Sequence, residues 1–220
     1  MSKGYVELSH PIEAGMITYK GLPGPIISDH LSRADSRKNY SAGTEFFIGK
    51  IEMVANTGTY VDSPFHRYAN GNDLSQIPLS SLADLLGIVV HADQRKGRAV
   101  DPGFFQNLDL SQKAVLIHTG WDKHWRTDRY AEGHPYVTRE TAEFLIQSRV
   151  SLVGIDSFNI DDTADGARSA HTLLLGAGIP IVEHLCNLQA LPTQGFRFFA
   201  VPPMVRAFGS FPVRAFAILM

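Results

Sequence analysis

Two stretches of the chain concentrate the residue types that carry acid–base or metal chemistry. The first is N-T-G-T-Y-V-D-S-P-F-H-R, residues 56–67. Alternate residues of an extended chain share a face, so Asn56, Tyr60 and Asp62 can point into one cavity. The proline that follows breaks the strand and lets His66 turn back towards Asp62. This pattern fits a base–ligand pair. It fits an Asx turn with a solvent-facing His66 equally well.

The second stretch covers residues 171–184, with His171 on a predicted helix and Glu183 at the end of an apolar strand. A carboxylate is costly to bury unless it is paired or bound to a metal, which makes Glu183 a candidate ligand. The alternative is that the strand simply reaches the surface at Glu183, where the carboxylate would have no special role.

The first stretch resembles the signature H-x-G-T-H-x-D-x-P-x-H of the cyclase family of metal-dependent hydrolases, which includes bacterial kynurenine formamidases and isatin hydrolases. Further stretches match the family in order, namely E-L-S-H-P-I (7–12), I-H-T-G-W (117–121), L-V-G-I-D (152–156) and E-x-L-x-N-L (183–188). The resemblance therefore covers nearly the whole chain.

The resemblance implies an α/β chain with the swivelling β/β/α fold and a mixed sheet or barrel-like core, in one domain over residues 1–220. It also implies a homodimer or higher homo-oligomer, a small-molecule amide or cyclic amide as substrate, and a divalent ion such as zinc or manganese. By position, Asp62 falls on the family's metal-binding aspartate and His66 on its final His, a base or second-metal ligand. His171 and Glu183 fall on the downstream His and Glu that complete the metal site.

Two positions depart from the signature, because Asn56 and Tyr60 stand where the family has metal-binding His residues. An amide oxygen is a weaker zinc ligand than imidazole, and a phenol must lose its proton near pH ~10 to bind well. We therefore expect a single divalent ion with mixed nitrogen and oxygen ligands, held by Asp62, His171 and Glu183.

The reaction expected from these residues is metal-assisted hydrolysis. The ion would polarise the carbonyl and lower the pKa of a bound water towards ~7, and His66 would move the proton from that water to the leaving nitrogen. Asn56 and Tyr60 would orient the substrate or stabilise the oxyanion. Phe65 and Trp121 would line the pocket, unless they pack in the core.

Two other functions fit the same residues. A metal-independent hydrolase, lactonase or isomerase would use His66 and Tyr60 as an acid–base pair. A non-catalytic protein would bind a small molecule without turnover. Elemental analysis separates the first from a metalloenzyme, and thermal stabilisation by a ligand without turnover would identify the second.

Composition excludes several other classes of function. The 220 residues carry 20 Lys+Arg against 22 Asp+Glu, so no net positive charge attracts nucleic acid. The longest basic cluster, residues 95–98, contains a glycine and predicts a turn. No apolar run approaches the ~20 residues of a membrane span. The single cysteine, Cys186, predicts no intrachain disulfide, and we expect a cytoplasmic protein.

The elements that must position these side chains are short apolar runs, typical of strands buried on both faces. Strands are predicted over 46–54, 87–92, 114–118, 152–156, 179–182, 198–201 and 211–219, and helices over 80–87, 101–105, 138–148 and 167–175. Strands that alternate with single helices predict a mixed α/β domain.

Overall fold

One large curled sheet, with helices packed on one of its faces, organises the chain. It is seen in a computed structural model that describes residues 4–92 and 97–220. The predicted basic turn over 95–98 therefore falls largely outside the described residues. No helix in the described ranges has the length and apolar character required to cross a membrane.

The described part of the chain contains thirteen strands and three α-helices. The strands are β1 (Tyr5–Glu7), β2 (Ile26–Leu31), β3 (Ile48–Glu52), β4 (Tyr60–Asp62), β5 (Leu85–His91), β6 (Ala99–Val100), β7 (Ala114–His118), β8 (Tyr136–Val137), β9 (Leu152–Ile155), β10 (Ile181–Glu183), β11 (Phe196–Phe199), β12 (Ser210–Pro212) and β13 (Phe216–Leu219). The helices are α1 (Arg33–Ser36), α2 (Arg139–Gln147) and α3 (Ser169–Gly176). Nine strands form one sheet in the order β1-β13-β11-β5-β7-β9-β10-β4-β12, while β2–β3 and β6–β8 form separate pairs.

The centre of the large sheet is parallel and buried on both faces. β5, β7, β9 and β10 are parallel neighbours, and antiparallel strands flank them on both sides. Ile117 and Ile155 pack towards α2 and α3, whereas Leu116 and Phe198 pack in a second core on the opposite face. Burial on both faces explains why these strands read as continuous apolar runs. The predicted mixed α/β architecture is confirmed.

The helix predicted over 138–148 is confirmed as α2. The Thr138 hydroxyl caps it by accepting the Thr141 N–H at 3.2 Å. The helix predicted over 167–175 is confirmed as α3, which begins two residues later. The segment predicted over 101–105 is a short 3₁₀ helix, Pro102–Phe105, with Asp101 as its N-cap.

Two sequence predictions of secondary structure are wrong. Residues 80–87 do not form a helix. A 3₁₀ turn over Leu79–Ser81 is followed after three residues by β5, whose pairing with β7 and β11 overrides the local helix signals. The single strand predicted over 211–219 is two strands near opposite ends of the sheet. β12 ends at Pro212, on the sheet edge, where a residue without an N–H is tolerated.

The loop before β12 passes directly over the turn that follows β4. A Cβ added at Gly209 would lie 2.6 Å from the His66 Cα and 2.7 Å from the His66 backbone nitrogen. The Gly209 carbonyl also accepts the Ser63 N–H at 2.7 Å. A glycine is therefore required where these two segments cross.

Gly209→Ala is expected to lower the free energy of unfolding by about 1–3 kcal/mol, since the new methyl group collides with backbone atoms that cannot yield without moving His66. Urea denaturation measures the loss. Gly166→Ala is the control, because nothing lies within 4 Å of its added Cβ, and it should stay within about 0.5 kcal/mol of the wild type. Equal stability of the two variants would contradict this close crossing.

Candidate active site

Strand register brings four polar side chains onto one face of the sheet. In the antiparallel pairs that β4 makes with β10 and β12, Tyr60 lies opposite Glu183 and Asp62 lies opposite Ser210. Side chains alternate across a strand, so these four share a face while Val61 packs into the second core. The predicted common face for Tyr60 and Asp62 is confirmed.

A short turn after β4 returns His66 to this face. Residues Pro64–His66 form a 3₁₀ helix, and the His66 N–H donates to the Ser63 carbonyl at 2.9 Å. The Ser210 hydroxyl donates to Asp62 Oδ1 and lies 2.9 Å from His66 Nδ1. Because that hydroxyl has one proton, His66 Nδ1 must be the donor to Ser210, which leaves Nε2 of His66 as its basic nitrogen. The predicted return of His66 towards Asp62 is confirmed.

His171 is oriented by a buried aspartate that sequence reasoning missed. Asp161 accepts the N–H groups of Ala170 (2.6 Å) and His171 (3.2 Å) at the start of α3, and it also accepts from His171 Nδ1 at 2.6 Å. The Nδ1 proton is thereby fixed on the side of Asp161. Nε2 of His171 then faces Asp62 Oδ2 at 3.5 Å and Glu183 Oε2 at 3.9 Å.

Asp62, His66 and His171 have the chemistry of a divalent metal site. One ligand atom from each lies within 4.8 Å of the others. Asp62 Oδ2 is buried and has no hydrogen-bond partner among the described residues. Leaving a buried carboxylate oxygen unpaired is costly unless a cation or another donor binds it. The Asp161–His171 contact is the outer-shell arrangement that typically orients a metal-binding His. These residues therefore fit a divalent ion with nitrogen and oxygen ligands.

Glu183 lies beside this group and is held by other donors. Its Oε1 accepts the Ile160 N–H at 2.7 Å, and its Oε2 accepts from the Tyr60 hydroxyl. Tyr19, from the loop between β1 and β2, places its hydroxyl 2.8 Å from that of Tyr60 and 3.2 Å from Oε2. His184 approaches Tyr19 from the other side, with 3.1 Å between Nε2 and the hydroxyl. Tyr60 therefore donates to Glu183, whereas the one proton of the Tyr19 hydroxyl has both Glu183 Oε2 and the Phe158 carbonyl, at 3.1 Å, as acceptors within reach.

The charges of the site follow from its burial. Burial alone lowers the pKa of His171, but Glu183, Asp161 and Asp62 outweigh it and raise that pKa to about 10. Burial raises the pKa of the Glu183 carboxyl, and it raises those of the Tyr60 and Tyr19 hydroxyls well above their usual value, with the Glu183 charge adding to the effect on both phenols. The phenols are therefore neutral hydrogen-bond donors at neutral pH.

A cavity of about 410 Å³ opens over these groups. Its size suits a small molecule. Glu183, Tyr60 and His171 form the floor, and the remaining lining residues are Tyr19, Leu22, Asn56, His66, Arg67, Asn159, Gly166, Ala167 and Arg168.

The sequence-derived site residues divide into two sets. Tyr60, His66, His171 and Glu183 line the cavity together with Asn56, and Asp62 is buried beneath them. Among the described residues, those that line this cavity do not include Phe65 or Trp121. Their predicted contact with substrate stays a prediction.

Trp121 is buried in an aromatic cluster with Tyr130 and Phe158, and its indole N–H donates to the Tyr130 carbonyl at 2.8 Å. Sequence reasoning missed Asp161 as a site residue, but a sequence signal for it exists. Asp161 stands in an acidic run, D-D-T-A-D, shortly before α3. Tyr19 and Ser210 left none, because each reaches the site from a distant segment through contacts that only the fold creates.

A family model and a known enzyme match most of this chain in sequence. The family model described as "Putative cyclase" matches residues 6–162. The kynurenine formamidase of Geobacillus thermodenitrificans is 32% identical over 183 residues, which is 82% of this chain and 84% of that protein.

Two solved structures show the same fold. Isatin hydrolase A from Ralstonia solanacearum superposes with a TM-score of 0.82 and 21% identity, over 99% of this chain and 92% of the other. A "predicted metal-dependent hydrolase" from Bacillus stearothermophilus superposes with a TM-score of 0.75 and 20% identity, over 99% of both chains.

Replacing Asp161 is expected to weaken metal binding without touching a ligand. Asp161→Asn loses the charge that holds the His171 Nδ1 proton, and removing such an outer-shell partner typically costs about 10–100-fold in affinity. Zinc affinity is measured by competition with a chelating dye. Asp165→Asn is the matched control, since Asp165 is exposed and accepts only the Ala167 N–H at 2.9 Å among the contacts described for it. Unchanged affinity in Asp161→Asn would refute the orienting role.

Proposed function

This chain belongs to the cyclase family, and on that premise we propose that it is a metal-assisted hydrolase of a small amide or cyclic amide. The kynurenine formamidase relative and the isatin hydrolase fold support an enzyme that cleaves carbon–nitrogen bonds other than peptide bonds. The observation that carries the proposal is the convergence of Asp62, His66 and His171 beneath a cavity of small-molecule size.

We assign the ion to Asp62, His66 and His171, which differs from the set expected from sequence. A divalent ion bound there would polarise the substrate carbonyl and lower the pKa of a coordinated water. Glu183 lies outside that group of three in the described structure, and its carboxylate faces the cavity. The geometry thus favours an exchange of the roles expected for His66 and Glu183.

Glu183 then serves as the proton-transfer group. The water oxygen bonds to the carbonyl carbon, the carbon–nitrogen bond breaks, and Oε2 of Glu183 carries the proton from the water to the leaving nitrogen. The Tyr60 hydroxyl donates to that oxygen and holds it in place. Asn56 lies on the cavity wall and would orient the substrate.

A metal-independent enzyme is the second candidate, and one observation favours it. Protonated His171 lies between Asp62, Asp161 and Glu183 and compensates part of their charge without any ion. In that case His66 and Tyr60 would act as the acid–base pair.

The β2–β3 hairpin supports the expected homo-oligomer. It exposes a run of large apolar side chains, namely Ile26, Ile27, Phe46, Phe47, Ile48 and Ile51. A two-stranded ribbon is marginal by itself. Ile27 and Ile51 lie opposite each other in the pair and expose their apolar side chains on one face, which favours a contact site there. We propose that a second copy of the chain covers it. The cytoplasmic location expected from the sequence stays a prediction.

The metal proposal predicts close to one equivalent of zinc or manganese per chain, measured by elemental analysis of protein purified without chelators. His66→Ala should lose most of the metal together with turnover of formanilide. Glu183→Gln should keep the metal and lose about 100-fold or more in kcat, since it removes the proton carrier.

The opposite pattern, with metal lost in Glu183→Gln and kept in His66→Ala, would restore the ligand set expected from sequence. Full activity in metal-free protein would establish the metal-independent candidate instead. Gln147→Ala, an exposed change on α2, is the control for handling losses and should retain both metal and turnover.

The oligomer proposal predicts a dimer or larger species at micromolar concentration in analytical ultracentrifugation. The double variant Ile27→Lys/Ile51→Lys should sediment as a monomer, because it places charges in the covered surface. Ile17→Lys, which changes an exposed isoleucine outside the hairpin, should leave the assembly intact. A monomeric wild type would rule the proposal out.

A further inference from the structure

His184 directly follows Glu183 in the chain, and both of its ring nitrogens contact a phenol. The residue is completely buried, with Nε2 3.1 Å from the Tyr19 hydroxyl and Nδ1 2.8 Å from the Tyr130 hydroxyl. Its backbone lies in the left-handed region at φ 54°, and the Thr59 hydroxyl holds this turn by donating to the His184 carbonyl at 2.6 Å. An uncommon backbone conformation at a buried polar residue often marks a functional position.

The direction of the hydrogen bonds beside Glu183 follows from the number of protons available. The Tyr60 hydroxyl has one proton and donates it to Glu183 Oε2. The hydroxyl oxygens of Tyr60 and Tyr19 lie 2.8 Å apart, a distance at which two oxygens repel each other unless a proton lies between them. That proton must come from Tyr19, so the Tyr19 hydroxyl donates to Tyr60 and not to its two more distant acceptors, the Phe158 carbonyl and Glu183 Oε2.

With its proton directed at Tyr60, the Tyr19 oxygen can only accept from the two nitrogen atoms beside it. Asn159 Nδ2 donates to this oxygen at 3.2 Å, and the amide is held in that orientation because its Oδ1 accepts the Asp161 N–H at 3.0 Å. The second nitrogen is Nε2 of His184. The proton of the His184 ring must therefore be on Nε2.

The same reasoning orders the contact between His184 and Tyr130. Burial keeps the imidazole neutral by lowering the pKa of His184 well below its usual value, and a neutral imidazole carries one ring proton. With that proton on Nε2, Nδ1 is an acceptor, and the Tyr130 hydroxyl donates to it at 2.8 Å. Four hydrogen bonds therefore run in one direction, from Tyr130 through His184, Tyr19 and Tyr60 to Glu183. Hydrogen bonds ordered in this way polarise and strengthen one another.

We infer that His184, with its proton on Nε2, is a positioning residue that keeps Glu183 Oε2 in place for proton transfer. The inference rests on the proposed hydrolase function. Without the His184 N–H, the Tyr19 hydroxyl is free to turn its proton away from Tyr60, and Tyr60 can then donate to Tyr19 instead of to Glu183. Tyr130 acts one step further away, because its hydroxyl fixes the tautomer of His184.

The first test measures the tautomer of His184 by NMR correlation of ring nitrogens with ring protons in protein labelled at its histidines. The His184 signals are those that change most in Tyr130→Phe, which keeps the ring and removes only the hydroxyl beside Nδ1. A proton on Nε2 of His184 supports the inference. A proton on Nδ1 overturns it, and this result does not depend on whether the protein hydrolyses any substrate.

The second test uses two substitutions that separate positioning from a structural role. The amide of glutamine reaches the position of the His184 Nε2 and can donate to Tyr19, whereas the amide of asparagine reaches only the position of Nδ1. Asparagine tolerates a left-handed backbone better than glutamine, so a purely structural role predicts that His184→Asn is the more stable and more active variant.

Positioning predicts the opposite order of activity. His184→Gln should keep formanilide turnover close to that of the wild type, and His184→Asn should lose about 3–10-fold in kcat, the range for one hydrogen bond. KM should stay unchanged, because His184 is not among the described residues that line the cavity. Urea denaturation shows whether either variant has lost activity through unfolding.

The same two substitutions at His91, which is exposed at the end of β5, are the control and should both keep wild-type turnover. Equal kcat in His184→Gln and His184→Asn would overturn the positioning role and leave the hydrolase function standing. If the wild type hydrolyses no amide, the proposed function fails, whereas the tautomer of His184 still supports or overturns the order of hydrogen bonds that holds Glu183.

Discussion

Three buried carboxylates surround one imidazole, and the compensation of their charge is the constraint on which the rest of the site depends. Asp62, Asp161 and Glu183 are each almost completely excluded from solvent. Burying such groups unpaired is very costly. His171 meets all three, and the start of α3 donates two N–H groups to Asp161. The Tyr60 hydroxyl and the Ile160 N–H donate to Glu183. One oxygen of Asp62 remains unmatched, and it lies where a cation would complete the set.

Packing in the sheet offsets the free-energy cost of burying these charges, because they lie between two well-packed regions. β4 and β10 place alternate residues in the second core, where Val61 and Val182 are fully buried. The residues that alternate with these valines along the strands carry the chemistry. Each strand therefore stabilises the fold with one face and presents the site on the other. Helix α3 closes the site from above and carries His171 on its first turn. Because the sheet holds its strands in place, a strand of only three residues such as β4 can fix the positions of candidate metal ligands.

Local patterns in the sequence located Asp62, His66, His171 and Glu183, because polar residues in apolar or extended stretches are conspicuous. The alternation of apolar runs with single helices predicted a mixed α/β domain and the family resemblance predicted its cyclase-like form, and the structure confirms the mixed α/β fold. The contributions of Ser210 and Tyr19 were not predicted, since they depend on contacts across 148 and 164 positions of sequence. Asp161 was missed although it lies only ten positions before His171. The helix expected over 80–87 failed because strand pairing outweighed capping signals that act over a few residues.

The contact between Ser210 and Asp62 also sets a limit on when the site can form during synthesis. A nascent chain whose segment around Ser210 is still inside the ribosome lacks β12, the strand that pairs with β4. Until that strand emerges, His66 has no hydroxyl to fix its tautomer and Asp62 lacks a donor for Oδ1. The complete arrangement of Asp62, His66 and Ser210 can therefore form only after β12 has paired with β4, even though Asp62 and His66 leave the exit tunnel earlier.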